Sequence, residues 1–446
     1  ATPAVIALVV GTPSPVAAAT SRPESSVGEV TETYVDTSRD TPAWGPDPEI
    51  PSRTLVTLVL YPAVGPPSAA PVANDPPDSS RGPYPLIVFS HGLGSTPLAY
   101  LHLLSAWAAA GFVVAAPRFP LSSSETPGGP DAGDVVNQPA DVRFVIDAIL
   151  GASAGGTGPL AGLVNPREIG AAGHSNGAIT TLGLVANTCC RDPQVKAAVV
   201  MAGTTEGFPG GHYDLAHAPP LLLVHDTTDG LVPYRSAVIV YDHSRGPKGL
   251  LTIRGSTSRL LSGGSAHTAA AGIAGPAATT VRRTTIDFFD AYLRGDRTAI
   301  PRMRADGRSP YTELQFDSVP GGNQQLSVPP QPVVHLRASV TPHEGLTDGA
   351  TVTVRWSGYT AGKVVNVLEC SHVDIAAASS AGCDLSNAKI LQPDPSGHGS
   401  LTMQVVTGAV GNGTCDAAHP GCKIVVNNAS STDPADSVEL PIAFST

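Results

Sequence analysis

Gly173-His174-Ser175-Asn176-Gly177 places a serine between two glycines, after the small-residue run Gly170-Ala171-Ala172 and before Ala178-Ile179-Thr180-Thr181-Leu182. That order predicts a strand, a tight turn and a helix. Small residues on both flanks let strand and helix approach, and the turn strains the serine backbone so that its hydroxyl stands at a helix N-terminus. Backbone N–H groups there stabilise a developing oxyanion. A serine becomes an effective nucleophile when a histidine takes its proton and a carboxylate fixes that histidine's tautomer. The chain offers both downstream. Pro220-Leu221-Leu222-Leu223-Val224-His225 reads as a buried parallel strand, and Asp229 lies in the loop beyond it, before a helix expected near Pro233. Asp226 is the alternative acid; its plainer role is a turn or cap. Gly249-Leu250-Leu251-Thr252-Ile253 reads as the last strand, followed by Ser262-Gly263-Gly264-Ser265-Ala266-His267-Thr268, which makes His267 the base. His243 falls in a turn before that strand and reads as solvated. His174 is expected to pack inward.

A second loop completes the arrangement. Leu86-Ile87-Val88-Phe89-Ser90 predicts a strand that exits into His91-Gly92-Leu93-Gly94-Ser95. The backbone N–H groups of Leu93 and Asn176 are the expected oxyanion donors. A simple glycine-rich strand exit is the plainer alternative.

With these residues in place the chain resembles a known group. Phe89-Ser90-His91-Gly92-Leu93-Gly94, Gly111-Phe112-Val113-Val114-Ala115-Ala116-Pro117 and the Gly-His-Ser-Asn-Gly elbow resemble bacterial relatives of platelet-activating-factor acetylhydrolase, dienelactone hydrolase and chlorophyllase. The resemblance covers residues 28–316. It implies an α/β-hydrolase, with a mostly parallel sheet flanked by helices, and a Ser–Asp–His carboxylic ester hydrolase that needs no metal or organic cofactor. Secreted polyester hydrolases and cutinases share the fold, but usually carry an aromatic clamp, often Trp, after the strand that follows the nucleophile helix. Here Lys196-Ala197-Ala198-Val199-Val200-Met201 runs into Ala202-Gly203-Thr204-Thr205-Glu206-Gly207-Phe208, with Trp only at 44, 107 and 356. Aliphatic esters are therefore expected to be preferred over aromatic polyesters, with Phe208 as a possible aromatic face.

The C-terminal part has another texture. Residues 317–332 are rich in Pro, Gly and Gln and read as a linker. Short alternating strands are expected over 333–340, 350–356, 363–369, 400–406, 423–427 and 437–444, an all-β pattern. Cys370/Cys383 and Cys415/Cys422 form two local pairs, read as loop staples rather than metal ligands because no short C-x-x-C knuckle occurs. With that cysteine pattern, Val340-Thr341-Pro342-His343-Glu344-Gly345-Leu346-Thr347-Asp348-Gly349 resembles the neocarzinostatin family over residues 333–446. This implies an immunoglobulin-like sandwich with two disulfide-closed loops beside a ligand cleft.

At 446 residues the chain has room for two full cores. A net charge of −11 argues against nucleic acid or anionic membrane surfaces as partners. Six cysteines at pairable spacing point to an oxidising compartment, and so to a secreted protein. Cys189 and Cys190 either pair with each other or remain free thiols. Residues 1–27 read as a signal-peptide remnant (the apolar Val5-Ile6-Ala7-Leu8-Val9-Val10, then Pro15-Val16-Ala17-Ala18-Ala19) or as a disordered tail. No segment approaches the ~20 apolar residues of a membrane span. Three functions fit: an exported esterase or lipase; a polyester or cutinase-like hydrolase that uses the sandwich for attachment to a lipid or polymer; and a small-molecule-binding protein with a degenerate hydrolase core. The sequence leaves the oligomeric state open.

Overall fold

The structure is a computed structural model that describes residues 24–67, 70–205, 208–227, 229, 232, 234–254, 277–319, 336–359, 365–371, 382–384, 389–391, 397–411, 413–428 and 437–445. Ten strands form one sheet: β1 (Ser26–Asp36), β2 (Arg53–Ala63), β3 (Val72–Ala73), β4 (Tyr84–Ser90), β5 (Val113–Arg118), β6 (Val164–His174), β7 (Val195–Met201), β8 (Leu221–Asp226), β9 (Lys248–Ile253) and β10 (Thr312–Asp317). Their spatial order is β10-β9-β8-β7-β6-β4-β5-β2-β1-β3. The run from β5 through β4, β6, β7 and β8 to β9 is parallel throughout.

Side-chain alternation along the central strands divides the core into two layers. Ile87 and Phe89 of β4 face a cluster with Leu104 and Trp107 of α1 (Leu101–Ala109) and Phe288 and Phe289 of a later helix. Leu86 and Val88 face the opposite cluster, with Ile146 and Ile149 of α2 (Gln138–Ala154), Leu182 and Val185 of α3 (Asn176–Ala186), and Val238 of α4 (Tyr234–His243). The later helices are α5 (Ala278–Tyr292) and α6 (Ala299–Asp306). The result is the expected α/β-hydrolase architecture: a mostly parallel sheet covered on both faces by helices. None of the helices among the described residues is long and apolar enough to cross a membrane.

The structure departs from the sequence reading at four points. The strand over 249–253 is not the last: β10 pairs with it antiparallel at the sheet edge. Its Thr-Glu-Leu-Gln-Phe-Asp alternation buries Leu314 and Phe316 while Glu313 stays in solvent, so it suits an edge strand covered on one side. β10 also ends at Asp317, the first residue of the expected linker. At the other end β1 begins at Ser26, two residues inside the segment read as a tail, because the Ser26–Asp36 stretch pairs in full register with β2. His243 is the last residue of α4 rather than a turn residue; it is exposed, and its Nδ1 lies 2.8 Å from the Ile239 carbonyl.

The C-terminal strands are β11 (Arg337–Thr341), β12 (Thr351–Ser357), β13 (Val365–Cys370), β14 (Lys389–Leu391), β15 (Gly399–Gln404), β16 (Gly408–Val410), β17 (Gly413–Cys415), β18 (Lys423–Asn428) and β19 (Ser437–Pro441). They form the antiparallel sheets β11-β12-β15 and β14-β13-β18-β19 and the small hairpin β16-β17. Val352, Val354 and Trp356 from one sheet meet Val365, Val367, Ile424 and Val426 from the other in a single core. This is the all-β sandwich that the sequence predicts; β14 and the hairpin are additions too short to leave a periodic signal. Disulfides join Cys370 to Cys383 and Cys415 to Cys422, as expected. Cys189 and Cys190 are joined to each other, which decides between the two alternatives left open for them.

Candidate active site

Ser175 sits between β6 and α3 with φ 54° and ψ −120°, a backbone conformation rarely occupied by a residue with a side chain. Such strain persists only where its surroundings enforce it. Here the Ser175 N–H donates to the Met201 carbonyl at the end of β7, and the Ser175 carbonyl accepts from Ala178 and Ile179 at the start of α3. The flanking glycines have no alternative. A Cβ at Gly173 would strike the Gly177 carbonyl, and one at Gly177 would strike the carbonyls of Ser90 and His91. Strand, elbow and the exit of β4 thus meet backbone to backbone. Ser175 is half-buried and begins the helix, with its first N–H groups, Asn176 among them, on the same turn.

The place of the site follows from topology. From β4 the chain moves outward to β5, then returns to lay β6 on the other side of β4. In open α/β sheets, ligands bind at such a switch point, beyond the strands' carboxyl ends. The loops that leave β4 and β6 there carry Leu93 and Ser175.

The exit of β4 is held by two side chains and a backbone bond to the next loop. His91 is fully buried, and burial pushes its pKa down to about 4, so the ring is neutral. Its Nε2 accepts from the Phe119 N–H at 3.1 Å, and its Nδ1–H donates to the Gly92 carbonyl at 2.9 Å. In a trans peptide the carbonyl of one residue and the N–H of the next point in opposite directions. Gripping the Gly92 carbonyl therefore turns the Leu93 N–H away from His91. The Gly92 N–H donates to the Tyr100 hydroxyl at 3.2 Å. Gly94 donates to the Ser122 carbonyl at 2.8 Å, tying this loop to the one that leaves β5. That second loop is anchored from below. Arg53, fully buried, donates at 2.6–3.0 Å to both Asp134, in the short turn before α2, and Asp141, in the first turn of α2.

Asp229 lies beyond β8, where the sequence places it, whereas Asp226 is the last residue of the strand and pairs with Ile253 of β9 rather than lying in the loop. The Val232 N–H donates to Asp229 Oδ1 at 3.0 Å, and the Asp229 N–H donates to the Asp226 carbonyl at 3.2 Å. Burial lowers the pKa of His225, whose Nε2–H donates to the Val232 carbonyl at 2.8 Å and whose ring meets Tyr234 edge-on. His225 thereby braces the turn that presents Asp229. His267 lies outside the described residues. His174 packs inward as expected, its Nδ1 2.8 Å from the Tyr100 hydroxyl.

Phe208 offers no aromatic face to a ligand, contrary to the sequence reading. It is buried, its ring lying over Gly183 of α3 and against Tyr213. Nor would the Ala202-Gly203 turn accept a clamp without rearrangement: a Cβ at Gly203 would stand 2.8 Å from that of Ala178. The positioning roles of His91, Tyr100 and His225 were not read from sequence. The only available signal was a histidine at each of two strand ends.

Comparison with known proteins bears on both regions. Residues 49–124 match the family described as platelet-activating factor acetylhydrolase, isoform II. Residues 338–444 match the neocarzinostatin family. A solved structure of a ferulic acid esterase from Streptomyces cinnamoneus is similar at 24% identity over 68% of this chain and 98% of its own, with a TM-score of 0.46. No curated protein matches the chain. The acetylhydrolase match reaches from just before β2 into the loop after β5, and so includes the His91–Leu93 exit of β4. It stops short of Ser175.

Proposed function

We propose that the chain is a serine carboxylic ester hydrolase, of the esterase or lipase type, that works through an acyl-enzyme on Ser175. The observation that carries this reading is the enforced left-handed backbone at Ser175 on the turn between β6 and α3. The acetylhydrolase match supports an ester as substrate. In this mechanism Ser175 Oγ attacks the ester carbonyl carbon while His267 takes the hydroxyl proton, held in the right tautomer by Asp229. The carbonyl π electrons move to oxygen, and the Leu93 and Asn176 N–H groups stabilise that oxyanion. Collapse expels the alcohol, which receives its proton from His267. Water then attacks the acyl-enzyme by the same route, releasing the acid and restoring Ser175. Three disulfides support export to an oxidising compartment.

A fluorophosphonate probe, followed by peptide mapping, is expected to modify Ser175. Ser175→Ala should lower turnover of a soluble p-nitrophenyl ester by roughly 10⁴ or more. Modification at another residue, or a Ser175→Ala enzyme that keeps its activity, would overturn the proposal and favour a binding protein with a degenerate core.

A further inference from the structure

One hydroxyl touches both halves of the proposed site. Tyr100 ends the short 3-10 turn Pro97–Tyr100 that follows the oxyanion loop, and its ring is buried against Phe89 at 4.7 Å and His174 at 5.6 Å. Its Oη accepts the Gly92 N–H at 3.2 Å and shares a hydrogen bond of 2.8 Å with His174 Nδ1. Gly92 immediately precedes Leu93, and His174 immediately precedes Ser175. The space between them is full: a Cβ on Gly92 would stand 3.1 Å from the Tyr100 hydroxyl and 3.3 Å from His174 Nδ1. We propose that Tyr100 is a positioning residue whose hydroxyl sets the separation between the nucleophile and the Leu93 oxyanion donor.

The physical argument rests on what each end leaves free. The β6–α3 elbow is fixed by its own backbone contacts, but the β4 exit is a loop of Gly92, Leu93, Gly94 and Ser95 with wide conformational freedom. His91 fixes the direction of the Gly92–Leu93 peptide plane through the carbonyl of Gly92. It does not fix the distance of that plane from Ser175. Tyr100 supplies the missing restraint by bonding the other peptide of Gly92 and referring it to the residue next to the nucleophile. Burial pushes the tyrosine pKa up to about 12, so the hydroxyl stays neutral at the pH of any ester assay. Without it the Gly92 N–H loses its partner, and the loop, still tied to His91 and to Ser122, loses its bond to the residue next to Ser175 and can shift relative to it. A displacement of about 1 Å at an oxyanion donor costs on the order of 100-fold in rate.

The inference rests on the proposed ester-hydrolase reading, and the experiment separates the two. In the full chain, Tyr100→Phe keeps the ring and removes only the hydroxyl. With p-nitrophenyl butyrate, kcat is expected to fall about 10- to 100-fold while KM changes less than about threefold, because the donor acts on the transition state. Fluorophosphonate labelling should remain on Ser175 but slow by a similar factor. His174→Leu cuts the same link from the other side. The double variant should lose little more than the worse single variant, since both remove one connection. If Tyr100→Phe does not fold, a kcat loss in His174→Leu at unchanged KM carries the same test. A kcat within about twofold of the parent in a folded Tyr100→Phe, or fully multiplicative losses in the double variant, overturns the positioning role. If the parent chain itself is not labelled at Ser175, the ester-hydrolase reading fails instead.

Discussion

In the large sheet two buried histidines, His91 and His225, grip the backbone at strand exits, and in the sandwich a buried carboxyl does so. His91 and His225 are fully buried, stay neutral and donate to the carbonyls of Gly92 and Val232. Glu369 of β13 is also buried, one oxygen accepting the Val406 N–H at 2.9 Å, and burial raises its pKa to about 7, with Asp384 and Asp348 adding to the effect. The two choices give opposite dependence on pH. Unfolded chain protonates histidine near 6.5 but folded His91 only near 4, so its contribution is complete above 6.5 and is lost as pH falls. Unfolded chain releases the Glu369 proton near 4.5 but folded chain only near 7, so its contribution is complete below 4.5 and is lost as pH rises. The difference teaches where polar burial has a use. In the sheet, each buried histidine holds a loop of the proposed site. In the sandwich the buried carboxyl fastens β13 to the strand exit at Val406, next to a disulfide and far in sequence from every residue assigned to chemistry.

The sharpest way to break this division of labour is to change the acid. Asp229→Asn is expected to lower kcat on a soluble ester by roughly 10⁴, since an amide in place of the carboxylate presents the wrong partner to the histidine. Asp226→Asn should cost far less, because Asp226 ends β8 within the ladder to β9, whereas Asp229 lies in the turn that His225 braces. Steady-state kinetics on both variants checks the assignment; reversed effects would move the acid to Asp226. Neither change should shift the unfolding of the sandwich.

A smaller effect tests the separation from the other side. Cys370–Cys383 and Cys415–Cys422 close loops of 13 and 7 residues in sequence, and each is worth about 2–4 kcal/mol to the sandwich. Cys189–Cys190 joins neighbours and closes no loop, so it restrains the unfolded chain very little. Reduction should therefore lower the unfolding temperature of the sandwich by more than about 10 °C and leave ester hydrolysis within about twofold. A chain ending near Asn323 should likewise keep its activity on a soluble ester. Loss of that activity, with the sheet still folded by circular dichroism, would place the sandwich within the site.

Much of this arrangement was legible in the sequence, for reasons that differ between parts. The elbow was readable because its glycines are demanded by backbone contact, at Gly173 with Gly177 and at Gly177 with Ser90. The sandwich strands were readable because Val352, Val354 and Trp356 alternate with polar neighbours. β1 and β10 were harder, since strands at or next to a sheet edge carry as many polar as apolar residues and announce themselves only through pairing. His91 and Tyr100 were missed because their roles depend on two loops meeting, and no local spacing records that Gly92 and His174 come together. Phe208 was misread for the converse reason: an aromatic after a strand looks available until the helix glycine that receives it, Gly183, is seen.

The smallest expected effect concerns Glu369, and it tests the contrast in pH directly. At pH 8 the folded carboxylate is charged and buried, with Asp384 and Asp348 disfavouring that charge. Relative to the unfolded chain, a shift of this size costs the sandwich on the order of 2–3 kcal/mol. Glu369→Gln keeps the shape and an acceptor for the Val406 N–H, but removes the charge. The variant should therefore be more stable than the parent at pH 8 and nearly equal to it at pH 5, where the parent's carboxyl is already neutral in the folded state. Thermal unfolding of the sandwich transition, measured at both pH values, reads this as a gain of several degrees at pH 8 that vanishes on acidification. A gain of the same size at both pH values would mean that packing rather than ionisation limits this position. A loss at pH 8 would mean that the buried carboxylate is better satisfied than its one bond among the described residues, to Val406, suggests, and the opposition between the two regions would then disappear.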